Sequence, residues 1–226
     1  MSKFISIAID GPAAAGKSSV AKILASKFNL IYIDTGAMYR AFTYAVIKAG
    51  LNPENEEESC SLIGKVVIEL KPNHVVLCNG VDVTREIRTF EVSSNVSYIA
   101  SYKNIRLDLV EQQRRMAEYG NVIMDGRDIG TYVLPNADLK IFQIADVTKR
   151  AERRYVENME KGISCTFEDV LNDLKNRDFI DSNRAFAPLC AASDAITLDT
   201  SDLTLYEVVE LISKIIKEKL GLEENE

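Results

Sequence analysis

Apolar positions along the chain come in short bursts that alternate between strand and helix spacing. Phe4-Ile5-Ser6-Ile7-Ala8-Ile9 is a nearly unbroken apolar run closed by Asp10, which predicts a buried strand. The small residues Gly11 to Gly16 follow as a turn. Val20, Ile23, Leu24 and Phe28 then recur at helical spacing on one stripe. Leu30 to Ile33 predicts a second short strand ending in Asp34, and a helix is expected from about Ala37 to Ala49, closed by Gly50. Strand, helix and strand in so short a length predict a parallel sheet with its ligand site at the carboxyl ends of the strands.

Between Lys65 and Val83 the rhythm breaks. Val66, Val67, Ile68 and Leu70, then Val75, Val76 and Leu77, are β-prone runs separated by Lys71-Pro72-Asn73, with Asn79-Gly80 as a second turn signal. A small antiparallel excursion is expected there. The parallel core resumes with Asn121 to Asp125 and Leu139 to Ile144, and a last strand is expected at Ala195 to Leu198. A final helix follows, with Thr204 and Glu207 as a capping box and a stripe of Leu205, Val208, Val209, Ile212, Ile215 and Ile216. The acidic tail, 221–226, is expected to fray. Without repeats or a low-complexity linker, 1–226 reads as one α/β domain with excursions.

Composition narrows the chemistry. With 226 residues, 46% of them hydrophobic, the chain can bury a sizeable core. Its formal charge of −7 argues against a general nucleic-acid binder. Cys60, Cys78, Cys165 and Cys190 form no C-x-x-C pair, and the single histidine, His74, adjoins none of them. Zinc therefore has almost no ligand set. Widely spaced cysteines read as free thiols of a reducing compartment, and no apolar run reaches spanning length. A soluble, cytoplasmic chain is expected; the absence of a heptad seam favours a monomer.

Gly11-Pro12-Ala13-Ala14-Ala15-Gly16-Lys17-Ser18 satisfies G-x-x-x-x-G-K-[ST] in full, between a predicted strand and a predicted helix. In such a P-loop the backbone N–H groups and the helix N-terminus cradle phosphates. Lys17 would reach the β- and γ-phosphates of a nucleoside triphosphate, and the Ser18 hydroxyl would ligate Mg²⁺. The fold class expected is therefore an α/β, P-loop NTPase-type parallel sheet flanked by helices, with a small β-rich insertion. No N-K-x-D guanine-reading segment accompanies the loop. Arginines suggest a transferase with an acceptor site instead: Arg40, Arg127 in Asp125-Gly126-Arg127-Asp128, the set Arg177, Asp181 and Arg184 at i, i+4 and i+7, and Arg150, Arg153 and Arg154 at i, i+3 and i+4. One arginine on a helix ordinarily ends in a surface ion pair. Several beside a P-loop suit bidentate phosphate binding.

From Ile5 to about Leu198 the chain resembles the bacterial cytidylate kinases. The motifs are I-D-G-P-x-x-A-G-K-S at Ile9 to Ser18, D-T-G-A-M-Y-R at Asp34 to Arg40, E-I-R-T at Glu86 to Thr89, D-G-R-D-I-G-T at Asp125 to Thr131, and R-D-x-x-D-S-N-R-A-x-A-P-L at Arg177 to Leu189. The resemblance implies a nucleoside monophosphate kinase that passes the γ-phosphoryl group of MgATP to CMP or dCMP in line. Gly11 through Ser19, including Ser19, would hold ATP. Arg40, Arg127 and Arg184 would grip the acceptor phosphate, with Thr35 and Tyr39 near it. Ser97, Arg106 and Asp128 would read cytosine, and Arg177 with Asp181 would hold the sugar. Arg150, Arg153 and Arg154 resemble a lid over ATP at about 147–165, with Gly162 closing it; Lys17, Arg127, Arg153, Arg154 and Arg184 would stabilise the transferring group. Asp125 ends its strand as a Mg²⁺ carboxylate would, through water, although a helix-capping role suits the same position. The enlarged monophosphate-binding region, 36–100, would contain the insertion at 65–83. Phe179, Ile180 and Ser182 stand where some relatives carry charged residues. UMP or AMP is the alternative acceptor, and a slowly hydrolysing nucleotide switch the alternative class.

Overall fold

The computed structural model describes residues 4–160 and 162–225. In chain order its elements are β1 (Ser6–Asp10), α1 (Lys17–Lys27), β2 (Ile31–Asp34), α2 (Thr35–Lys48), α3 (Glu56–Cys60), β3 (Ile68–Lys71), β4 (Val75–Cys78) and β5 (Val81–Asp82). There follow α4 (Phe90–Ser101), α5 (Lys103–Ala117), β6 (Val122–Gly126), β7 (Leu139–Ile144), α6 (Val147–Glu160), α7 (Phe167–Asn183), β8 (Ile196–Asp199) and α8 (Leu205–Leu220). The chain divides into two compact units: residues up to Tyr32 together with those from Gly120 onward, and Ile33–Tyr119.

The first unit is built on a sheet of order β2-β6-β1-β7-β8. β1 pairs in parallel with β6 on one side and β7 on the other, and Asp10 stands level with Gly126 and Phe142. Ile7, Ala8 and Ile9 are fully buried because helices cover both faces of this central strand. Val20, Ala21 and Leu24 of α1 pack there with Val208, Val209, Ile212 and Ile216 of α8. The capping box forms as expected: the Glu207 N–H donates to Thr204 Oγ1, and the Glu207 carboxylate accepts from the Thr204 N–H at 2.8 Å. The tail departs from the expectation of fraying. Glu224 pairs with Lys217 at 2.7 Å and Lys27 at 3.2 Å, while the Asn225 N–H donates to the Lys27 carbonyl at 2.7 Å. Two lysines facing the acidic end supply the attraction that fraying would forgo. Glu226 lies outside the described residues.

In the second unit Asp34 caps α2, its carboxylate accepting from the Ala37 N–H at 2.8 Å. β3, β4 and β5 form the antiparallel excursion, with Ile68 opposite Cys78 and Leu77 opposite Asp82. α2 packs against α4 and against β4. No helix among the described residues is long and apolar enough to cross a membrane.

Candidate active site

The carboxyl ends of β1, β6 and β7 share one edge of the first unit's sheet, and each continues into chemistry. After β1 the chain turns through Gly11, at φ 150°, and Gly16, at φ 89°, before α1 begins at Lys17. A Cβ on Gly11 would stand 1.9 Å from the Gln143 carbonyl oxygen, so the loop lies directly on β7. Only glycine satisfies both that contact and the positive φ. The Gln143 side-chain amide donates to the Ala15 carbonyl from the same strand. Opposite it, Asp178 of α7 accepts from the Ala13 N–H at 3.2 Å, and Arg150 of α6 donates to the Ala13 carbonyl at 2.9 Å. Arg150 and Asp178 also pair at 2.7 Å. The cradle is thus held from two sides by groups outside it.

Lys17 is buried, and its Nζ donates to the Pro12 carbonyl at 2.7 Å across the loop. Burial, and then the Arg127 guanidinium, push its ammonium down to about 7 against the pull of Asp125, Asp10 and Asp181. An arriving triphosphate would add counter-charge beside this lysine. Ser18 Oγ donates to Asp125 Oδ2 at 2.7 Å, and Tyr32 Oη donates to Asp125 Oδ1 at 2.7 Å. A hydroxyl and a carboxylate oxygen in contact are hard donors that fit Mg²⁺. No group of three or more His, Cys, Asp or Glu suited to a metal occurs among the described residues. A Mg²⁺ held here would therefore take its remaining oxygens from phosphate and water.

Beyond β6 lie Arg127 and Asp128, each matched to α7 or its end. Arg127 Nε donates to Asp181 Oδ2 at 2.8 Å, and Arg184 Nη2 stands 3.3 Å from Asp128 Oδ1. Arg184 Nη1 is 3.8 Å from Asp181 Oδ1. Burial opposes charge on Asp181 and on Arg127, but their mutual attraction prevails: the carboxyl is held below its ordinary value and the guanidinium above. Arg177 differs. Burial and the repulsion of Arg127 lower it, and its Nε has no hydrogen-bond partner among the described residues. A mostly buried guanidinium with an orphaned donor is a place where an anion is wanted.

Arg177, Asp181 and Arg184 do not share one helix face as their spacing suggests. α7 ends at Asn183, and Arg184 is extended at φ −62°, ψ 140°, with its Nε donating to the Ala187 carbonyl at 2.7 Å. The basic face expected on α6 also resolves into three separate engagements. Arg150 is buried against the P-loop, Arg153 donates to the carbonyls of Thr200, Ser201 and Leu203 at 2.8, 2.9 and 3.3 Å, and Arg154 pairs with Glu157 at 3.0 Å. Carbonyls and carboxylates within reach claim these guanidinium groups individually. Gly162 has φ 70° and follows α6, as a chain-reversing residue should.

The second unit carries the other expected acceptor residues. Thr35 and Tyr39 are buried on α2, and Arg40 Nη1 passes 3.5 Å from where a Cβ on Gly36 would stand. Ser97 is half-buried on α4. Arg106 of α5 is almost fully buried; its Nη1 donates to the Ala100 carbonyl at 2.9 Å and its guanidinium lies 5.3 Å from the Tyr39 ring centre. Asp10, Tyr32, Gln143 and Asp178 are the site residues that sequence reasoning missed. For Asp10 a signal existed: a carboxylate closing an otherwise apolar strand must find buried partners.

Residues 7–218 match the family model described as cytidylate kinase. The chain belongs to the cytidylate kinase family. A cytidylate kinase of Anoxybacillus flavithermus is 50% identical over 223 residues, covering 97% of this chain and 99% of the relative. That of Bacillus subtilis is 48% identical over 222 residues, at 97% and 99% coverage. Among solved structures, an uncharacterized protein from Eubacterium ventriosum aligns with TM-score 0.51 at 17% identity, covering 96% of this chain and 99% of that one. That likeness concerns fold alone. Family membership accounts for a P-loop followed by a second set of charged residues at one sheet edge.

Proposed function

We propose that this member of the family is a cytidylate kinase that transfers the γ-phosphoryl group of ATP to CMP or dCMP, giving ADP and the corresponding diphosphate. The observation that carries the reading is a complete P-loop, with Lys17 buried across it, in a chain half identical to cytidylate kinases over nearly its whole length. The acceptor phosphate is already ionised at neutral pH, so the reaction needs positioning and charge stabilisation more than a base.

The loop Gly11–Ser19 receives the donor phosphates, and Lys17 neutralises charge on the transferring group. Ser18 would hold Mg²⁺ directly and Asp125 through water, where the ion would supply positive charge against the phosphates. Arg127, Arg184 and Arg40 grip the acceptor phosphate beside Thr35 and Tyr39. Ser97, Arg106 and Asp128 read the cytosine edge, the carboxylate taking the exocyclic amino hydrogen. Arg177 and Asp181 hold the sugar. Arg153 and Arg154 serve the transferring phosphoryl group from α6. The enzyme works as a cytoplasmic monomer on free nucleotides.

Coupled ADP release with CMP, dCMP, UMP and AMP, and without acceptor, tests the reading. Rates should be highest with CMP and dCMP and near zero without acceptor. Equal or faster turnover of AMP would overturn the cytosine assignments; ADP release indifferent to acceptor would indicate a slow nucleotide switch.

A further inference from the structure

Asp10 belongs neither to the P-loop motif nor to the acceptor arginines, yet it touches what joins them. Its carboxylate is 4% exposed at the end of β1. Oδ1 accepts from the Ile129 N–H at 2.8 Å and Oδ2 from the Gly130 N–H at 2.7 Å. These two donors open a single wide helical turn, Ile129–Val133, closed by the Leu134 N–H on the Ile129 carbonyl at 2.7 Å and the Tyr132 N–H on the Asp128 carbonyl at 2.8 Å. The first N–H groups of such a turn have no partner within it. Asp10 supplies both from another strand, with its negative charge at the positive end of the turn.

We propose that Asp10 is a positioning residue for phosphoryl transfer, its carboxylate locking the Arg127–Asp128 loop to the strand that carries the P-loop. Arg127 and Asp128 immediately precede the pinned turn, and Gly11 immediately follows Asp10. One side chain thereby fixes the separation between donor cradle and acceptor arm, where a small misplacement is costly. Steric closeness reinforces the contact: a Cβ on Gly130 would stand 3.1 Å from Lys140 Cδ and 3.4 Å from Asp10 Oδ2. Burial raises the Asp10 carboxyl to about 6 even though both N–H donors pull it down. A neutral side chain would be easier to bury, so a cap serving stability alone is a poor account of a carboxylate here.

The kinetic consequence presupposes the transfer from ATP to CMP proposed above. Asp10→Asn keeps the shape but turns amide hydrogens toward one backbone donor. In that variant kcat should fall at least tenfold and KM for CMP rise at least fivefold. The dissociation constant of a non-hydrolysable ATP analogue, by calorimetry, should stay within twofold, and the Ile129 and Gly130 amide hydrogens should exchange at least tenfold faster. Gly130→Ala, which leaves Asp10 charged but presses on the same contact, should move kcat and KM for CMP in the same direction and carries the test if Asp10→Asn does not fold. A changed melting temperature with kcat and KM for CMP within twofold of the parent overturns the proposal, as does equal loss of ATP-analogue and CMP affinity. If the parent ignores CMP but phosphorylates another monophosphate, the substrate assignment falls and Asp10 is judged by the same split on that acceptor.

Discussion

Asp10 also makes the stability of this fold depend on pH in a direction opposite to most carboxylates. Burial dominates its environment, Asp128 adds repulsion, and the Gly130 and Ile129 N–H groups and Lys17 only partly offset them, leaving it at about 6 against an ordinary 3.8. The Lys140 stem closes the same pocket from beside Gly130. The folded state therefore holds the proton more tightly than the unfolded chain, and ionising Asp10 costs stability. The cost is complete above about 6, at roughly 3 kcal/mol for the whole shift, and disappears as pH falls toward 3.8. Between pH 8 and pH 5 the parent should recover about 1.4 kcal/mol that Asp10→Asn has no means to recover. The hydrogen bond that asparagine loses shifts the comparison by about 1 kcal/mol, equally at both values. Urea unfolding of parent and variant at pH 8 and pH 5 reads the change in their difference directly. In thermal melts the same change is roughly 3–6 °C for a chain of this size. The variant should gain on the parent as pH rises. A difference constant to within about 0.3 kcal/mol, or one moving the other way, would refute the reasoning.

Two further substitutions address the cradle. Lys17→Ala should lower kcat by about two to three orders of magnitude while leaving the circular dichroism of the folded chain unchanged, and near-normal turnover would remove Lys17 from its assigned role. Gly11→Ala places a Cβ 1.9 Å from the Gln143 carbonyl oxygen at φ 150°. It should weaken ATP-analogue binding more than tenfold by calorimetry and destabilise the chain by about 2 kcal/mol or more in urea; a variant that binds normally would mean that the loop does not rest on β7.

What could be read from the sequence was local. The P-loop declares itself because strand, glycines, lysine and helix lie within a few residues, and the α8 capping box because Thr204 and Glu207 are three apart. The excursion around β3, β4 and β5 shows through its β-branched runs and the turn at Asn79-Gly80. Arg184 misled because periodicity continues past the point where a helix stops. Its extended backbone and its bond to Ala187 arise from a chain reversal in which Ala187 itself has φ 49°. The missed residues share a different property: each acts across the sequence. Asp10 reaches residues 119 and 120 positions away, Gln143 reaches Ala15 across 128, and Asp178 reaches Ala13 across 165. No window of hydrophobic spacing registers such pairs, because burial of a polar group is decided by what the sheet brings beside it.

The same distinction explains why carboxylates stand among the arginines of the first unit. Recognising arginines in sequence suggests a pool of positive charge, but three largely buried guanidinium groups without counter-charge would repel one another and lose hydration. Asp181 against Arg127 and Asp128 against Arg184 keep two of them charged and oriented. Arg177 remains at odds with its surroundings, lowered by burial and by Arg127. Asp173, one turn earlier on α7, stands 3.8 Å from the Arg177 guanidinium but does not outweigh that cost. An anion entering among these guanidinium groups would meet donors already aimed and would add counter-charge beside Arg177 and Lys17, both of which burial and Arg127 disfavour as cations.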